Sequence, residues 1–138
     1  MKTLILIFAA TISLHSLPSY AEIAVIVNLN NSVTVSAEDI KGIFLGKINS
    51  FPNGVPAIPI VQKAKTPVAD EFTKKVLHKT NSQIQAYWSK LIFTGQGTSP
   101  KELQNSEKIL SIVSTNPNTI SYINAADITE KIRVLIKF

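Results

Sequence analysis

Apolar residues in this chain recur with two different periods, and the alternation between them suggests the order of elements. Ala24-Val-Ile-Val27 is an unbroken apolar run, the signature of a strand covered on both faces, and predicts a strand over 22–28. A polar loop, Asn28 to Ser32, follows it. Ile40, Ile43 and Phe44 then repeat at helical spacing. Ser36 and Asp39 stand at capping-box distance, and Glu38 and Asp39 put negative charge where the helix has unpaired N–H groups. Gly46 is placed to end that helix, and Pro52-Asn53-Gly54 is a turn by composition. Ala57 to Val61 reads as the second strand, so the opening predicts a β-α-β unit with a right-handed crossover.

Thr66 and Pro67 fit the N-cap and first position of a second helix, with Val68, Ala69, Phe72 and Val76 as its apolar face. Asp70–Lys74 and Glu71–Lys75 are i,i+4 pairs in the favourable order. Thr80-Asn81 caps a third helix, whose Ile84, Tyr87, Trp88, Leu91 and Ile92 form the clearest period in the sequence. That period favours Trp88 as a buried core anchor over a ligand-stacking residue. Thr94 to Pro100 reads as a helix-to-helix connector, since its two glycines lack the preceding strand and GK[ST] of a phosphate cradle. A helical stretch, broken near Asn105, fills 100–114, and 119–123 and 132–137 are short strands. The fold class is α/β: a single β-α-β-based lobe with a small mixed sheet flanked by helices.

Composition adds a compartment. Lys2, the apolar run Leu4 to Leu14 and the small-x-small site Ser19-Tyr20-Ala21 make residues 1–21 a cleavable signal peptide. The eleven residues of that run are short of the ~20 a spanning helix needs. Removing 21 of the 138 residues leaves 117, Glu22 to Phe138, enough for one domain over 22–138. The expected location is periplasmic. The chain has no cysteine, so packing alone holds the exported fold. Loss of Lys2 takes 14 basic residues to 13 against 9 acidic, a net charge of +4. That surplus favours anionic partners, yet without interleaved aromatics or dense basic stripes it argues against nucleic acid.

Catalytic chemistry is poorly supplied. The mature chain carries one histidine, His78, beside Lys79, with no carboxylate near it in sequence. Glu38/Asp39 and Asp70/Glu71 sit in first helical turns, where the helix dipole accounts for them. With imidazole and thiol ligands nearly absent, neither a metal nor another cofactor is expected. An oxyanion is better served. Lys63 and Lys65 lead into Thr66 at a helix N-terminus, bringing cations, a hydroxyl and backbone donors to one loop.

The segment Ile43-Phe-Leu-Gly-Lys47, with Phe51 and the turn after it, resembles the "IFLGK…W" segment of the phosphate-binding proteins of ABC transporters. Pro117-Asn-Thr-Ile-Ser-Tyr122 is similar to that family's "PGAIGY". The resemblance covers nearly all of 22–138 but one lobe of a two-lobe protein, and it implies a periplasmic-binding-protein-like fold and a non-enzymatic role. It also implies a ligand loop. Where the family reads R-x-x-x-S-G-T, this chain places Gln62 at the arginine, Thr66 at the serine, Pro67 at the glycine and Val68 at the threonine. Gln62, Lys63, Lys65 and Thr66 are therefore the candidate ligand-binding residues. A neutral amide for a guanidinium, and a proline for a backbone donor, imply weak binding of phosphate or a similar oxyanion. An open single lobe implies a second chain as partner: a homodimer, or docking on a membrane transporter, porin or sensor. The alternative is an envelope protein–protein interaction module that has lost ligand binding. N-terminal sequencing of exported protein should start at Glu22, and an intact Met1 in a membrane pellet would overturn the leader assignment.

Overall fold

The computed structural model describes residues 20–138, so the expected leader lies outside the described residues except for Tyr20 and Ala21. Strand β1 (Ile23–Asn28) is followed by helix α1 (Ala37–Phe44), β2 (Ile58–Gln62), α2 (Pro67–Lys75) and α3 (Asn81–Phe93). The chain continues through β3 (Lys101–Leu103), α4 (Ser106–Thr115), β4 (Thr119–Asn124), a 3-10 turn (Ala125–Asp127) and β5 (Ile132–Lys137). The sheet is five-stranded and mixed, in the order β3-β2-β4-β1-β5. The predicted parallel β1-α1-β2 unit is corrected here. β4 lies between β1 and β2, pairing antiparallel with β1 and parallel with β2, so β1 and β2 run in opposite directions. β2 is instead parallel to both of its neighbours, β4 and β3, and reaches β3 through α2 and α3.

The unbroken apolar run in β1 has a direct cause. Ile23, Val25 and Val27 face one packed layer with α1 and α2, whereas Ala24 and Ile26 face the other with α4. Alternate side chains thus enter opposite cores, and every residue of β1 is buried. At its end Asn28, also buried, donates from Nδ2 to the carbonyls of Val113 and Ser114, both at 2.9 Å, serving the unpaired C-terminus of α4. Across the first core, Phe44 of α1 meets Phe72 of α2 edge-on at 4.7 Å between ring centroids. Phe72 in turn stacks on Tyr122 of β4 at 3.7 Å.

Local signals act as read at the caps. Ser36 Oγ accepts from Asp39 N, and Asp39 Oδ2 accepts from Ser36 N, each at 3.1 Å. The Ser36 hydroxyl also donates to that carboxylate, which holds the Asp39 pKa below its ordinary value. Gly46 follows α1 at φ 68°, the left-handed geometry of a helix stop. Of the two expected surface pairs, Glu71–Lys75 forms at 3.4 Å, but Asp70 accepts from Asn81 Nδ2 at 2.6 Å rather than meeting Lys74.

Two further expectations are corrected on α3. Thr94 to Pro100 joins this helix to a strand, because Lys101–Leu103 pairs with β2. None of the α3 residues is buried, and Trp88 is half-buried. The regular stripe does form a helix face, but that face is only partly covered by the domain. The core anchors are Phe44, Phe72 and Tyr122, all under 3% exposed. Phe72→Ala should cost about 3–5 kcal/mol in denaturant unfolding, whereas Tyr122→Phe, which orphans a buried N–H of β2, should cost about 1–3 kcal/mol.

Candidate functional site

The parallel strands β2 and β3 end side by side, at Gln62 and Leu103. A cavity of about 400 Å³ opens there, between the strand ends and α3. Its walls are Val61, Ala69, Ile84, Trp88, Ile92 and Pro100; Gln62, Lys65, Thr73, Asn81 and Glu102 bring polar groups. The cavity exists because α3 stands away from the sheet. Trp88 rests against Gly46, whose missing side chain leaves room for the indole; a Cβ there would approach it to 3.1 Å. Tyr87 donates its hydroxyl to the Leu45 carbonyl at 2.6 Å, satisfying an unpaired group at the end of α1. The helix is therefore pinned at its Tyr87–Trp88 turn, as well as near its start by Asn81 on Asp70, and the cavity opens beside it.

Gln62 is 5% exposed and fixed from three sides. Its N–H donates to the Tyr122 hydroxyl at 3.1 Å, and its Nε2 lies 3.3 Å from both Ser106 Oγ and the Tyr122 carbonyl. No hydrogen bond among the described residues uses Gln62 Oε1 or the Thr73 hydroxyl, although both residues line the cavity. Burial pushes the Tyr122 phenol well above its ordinary pKa, so it stays a neutral hydroxyl acceptor for Gln62.

The four candidate ligand residues occupy one loop in different situations. Gln62 and Lys65 line the cavity, while Lys63 is exposed beside it. The Thr66 hydroxyl is already committed: it donates to the Lys63 carbonyl at 2.9 Å and accepts from Ala69 N at 3.3 Å. With Pro67 at the first helical position, the first turn of α2 retains the Val68 N–H as its uncommitted donor. Lys65 adopts φ 63°, a left-handed conformation costing a non-glycine residue about 1 kcal/mol or more.

Sequence reading missed Glu102. Strand pairing sets Val61 opposite Glu102, so its carboxylate reaches Ala64 N at 3.4 Å and adds negative charge to the basic loop. A three-residue strand with no apolar alternation gave no signal of that approach. Thr73 was likewise unreadable as a site residue, since it looks like any polar position on α2. Among the described residues there is no cluster of three or more His, Cys, Asp or Glu, and no helix is long and apolar enough to cross a membrane.

A family model described as a PBP superfamily domain matches residues 14–134. No curated protein sequence matches the chain. Among solved structures, one similar fold is a Clostridium perfringens protein described as a phosphate ABC transporter substrate-binding protein, with phosphate bound. It has a TM-score of 0.65 and 21% identity over 84% of this chain and 45% of that one. Another is an ABC-type phosphate transport receptor from Vibrio cholerae, with a TM-score of 0.64 and 15% identity over 84% of this chain and 47% of that one. The chain thus spans about half the length of these structures.

Trp88 is the one tryptophan, so fluorescence reports on the surroundings of this position, the cavity wall included. Its emission should be readily quenched by acrylamide, and Trp88→Ala should destabilise by about 1–2 kcal/mol, less than Phe72→Ala. A fully shielded indole would contradict the half-open cavity.

Proposed function

This chain belongs to the PBP superfamily, and from that premise we propose that it is a non-enzymatic binding protein of the cell envelope. Its ligand would be an oxyanion such as phosphate, held weakly by the loop from Gln62 to Thr66 and presented by the lobe to a transporter or envelope sensor. The observation that carries this reading is the position of the cavity. It lies at the carboxyl ends of parallel strands, where open α/β sheets offer unpaired backbone groups and helix N-termini, and its wall includes Lys65 and the fixed amide of Gln62. The similarity of the fold to phosphate-binding structures supports the choice of ligand.

The chemistry sets the strength. Two flexible lysines supply point charges rather than a bidentate fork. Thr66 and Pro67 leave few backbone donors, and Glu102 opposes an anion. Water also reaches the site from the open side, which weakens every charge interaction. Affinity in the micromolar to millimolar range follows, about −8 to −4 kcal/mol. A second reading, a protein-interaction module, is favoured by the end of α3, where Phe93 is 92% exposed beside Ile92 at 54%.

Calorimetric titration with phosphate and sulfate at low ionic strength tests the first reading. Lys65→Ala should weaken binding several-fold, and Glu102→Gln should strengthen it, because removing a nearby negative charge favours the bound anion. Added chloride should weaken it through screening. Absence of heat and of chemical-shift change at several millimolar anion would reject the oxyanion site and leave the interaction module.

A further inference from the structure

The cavity holds far more space than an inorganic anion at the loop requires. The cavity is a cleft open to solvent on one side. Here about 400 Å³ lies beneath α3, walled by Ile84, Trp88, Ile92 and Pro100. Ligand pockets for small organic molecules begin near this size, and they combine apolar walls with a few fixed polar groups. Both halves of that description are present. Gln62, 5% exposed, and Thr73, 8% exposed, line the cavity, and Gln62 Oε1 and the Thr73 hydroxyl have no partner among the described hydrogen bonds. Lys65 stands on the same wall, so the charged loop and the apolar space are one continuous site.

We propose that this site takes an organic anion, a small molecule with a ring-sized apolar body and a phosphate-like end group. The body lies under α3 against Trp88 and Ile84, and the end group faces Lys65 and the Gln62–Thr66 loop. The placement rests on the proposed oxyanion site for the end group and adds the apolar body as a separate determinant. Glu102 lies beside the charged end, where its carboxylate reaches the Ala64 N–H of the loop. The apolar walls therefore supply selectivity that the loop, poor in donors, lacks. Trp88 is on the wall, so a bound ring must change its fluorescence.

Phenyl phosphate and inorganic phosphate, titrated side by side into the full-length protein, test the proposal. Phenyl phosphate should bind at least about tenfold more tightly and shift or quench Trp88 emission. Ser89→Trp, an exposed helix position on the cavity wall, should fill the space and bring phenyl phosphate down to the affinity of inorganic phosphate, which itself stays unchanged. Glu102→Gln should strengthen both ligands by a similar factor. Equal affinity of the two phosphates in the unmodified protein would overturn the organic-anion proposal while leaving the oxyanion reading intact. Failure of both to bind would overturn the two together. A phenyl phosphate advantage that survives Ser89→Trp would also overturn it, because the ring would then lie elsewhere.

Discussion

The buried contact between Tyr122 and Phe72 is what the rest of the lobe is arranged around. The two rings stack at 3.7 Å with planes 6° apart, joining the central strand β4 to α2. Phe44 closes on both edge-on, which brings α1 into the same layer. The Tyr122 hydroxyl does a second job at the sheet end, accepting the Gln62 N–H beyond the point where β2 stops pairing with β4. One side chain thus sets the spacing of a helix layer and fixes the point at which the candidate ligand loop leaves the sheet. Its phenol is buried and held neutral, so the acceptor remains across the physiological pH range.

The second constraint is the end of α1. A helix C-terminus leaves carbonyls unpaired, and here one of them, Leu45 O, is taken by the Tyr87 hydroxyl of α3. Gly46 beside it provides both the left-handed turn that stops α1 and the clearance for Trp88. The resemblance centred on Ile43 to Lys47 therefore has a physical content: it builds the seat on which α3 rests. α3 is held there, and nearer its start by Asn81 on Asp70 and Ile84 against the core, yet none of its residues is fully buried. The cavity and the exposed Phe93 are two results of the same arrangement.

At the loop itself, geometry and charge pull in opposite directions. The left-handed Lys65 turns the chain so that Thr66 can cap α2, and this consumes the hydroxyl that a ligand would otherwise use. Glu102 adds a carboxylate from β3. The apolar walls beside the loop carry no such donors; what they add to the space is apolar surface.

By itself the sequence determined the elements whose signals are local. The Ser36 capping box, the Thr80 cap, the Thr66-Pro67 helix start, the Gly46 stop and the double-faced burial of β1 each depend on residues a few positions apart, or on a strand's own apolar run. The family resemblance identified the lobe, since its motifs are likewise contiguous. Tertiary structure decided everything that depends on which strand lies beside which. Hydrophobic pattern cannot tell β1 from its antiparallel relation to β2, because a strand buried on both faces looks the same in either direction. Nor can it reveal β3, three residues recognised only by their pairing with β2, and hence the approach of Glu102 to the ligand loop. The Trp88 period named a helix face correctly but not what covers it. Burial is a property of the neighbours, and those of α3 cover its face only in part, leaving the indole against Gly46 and on the wall of a cavity.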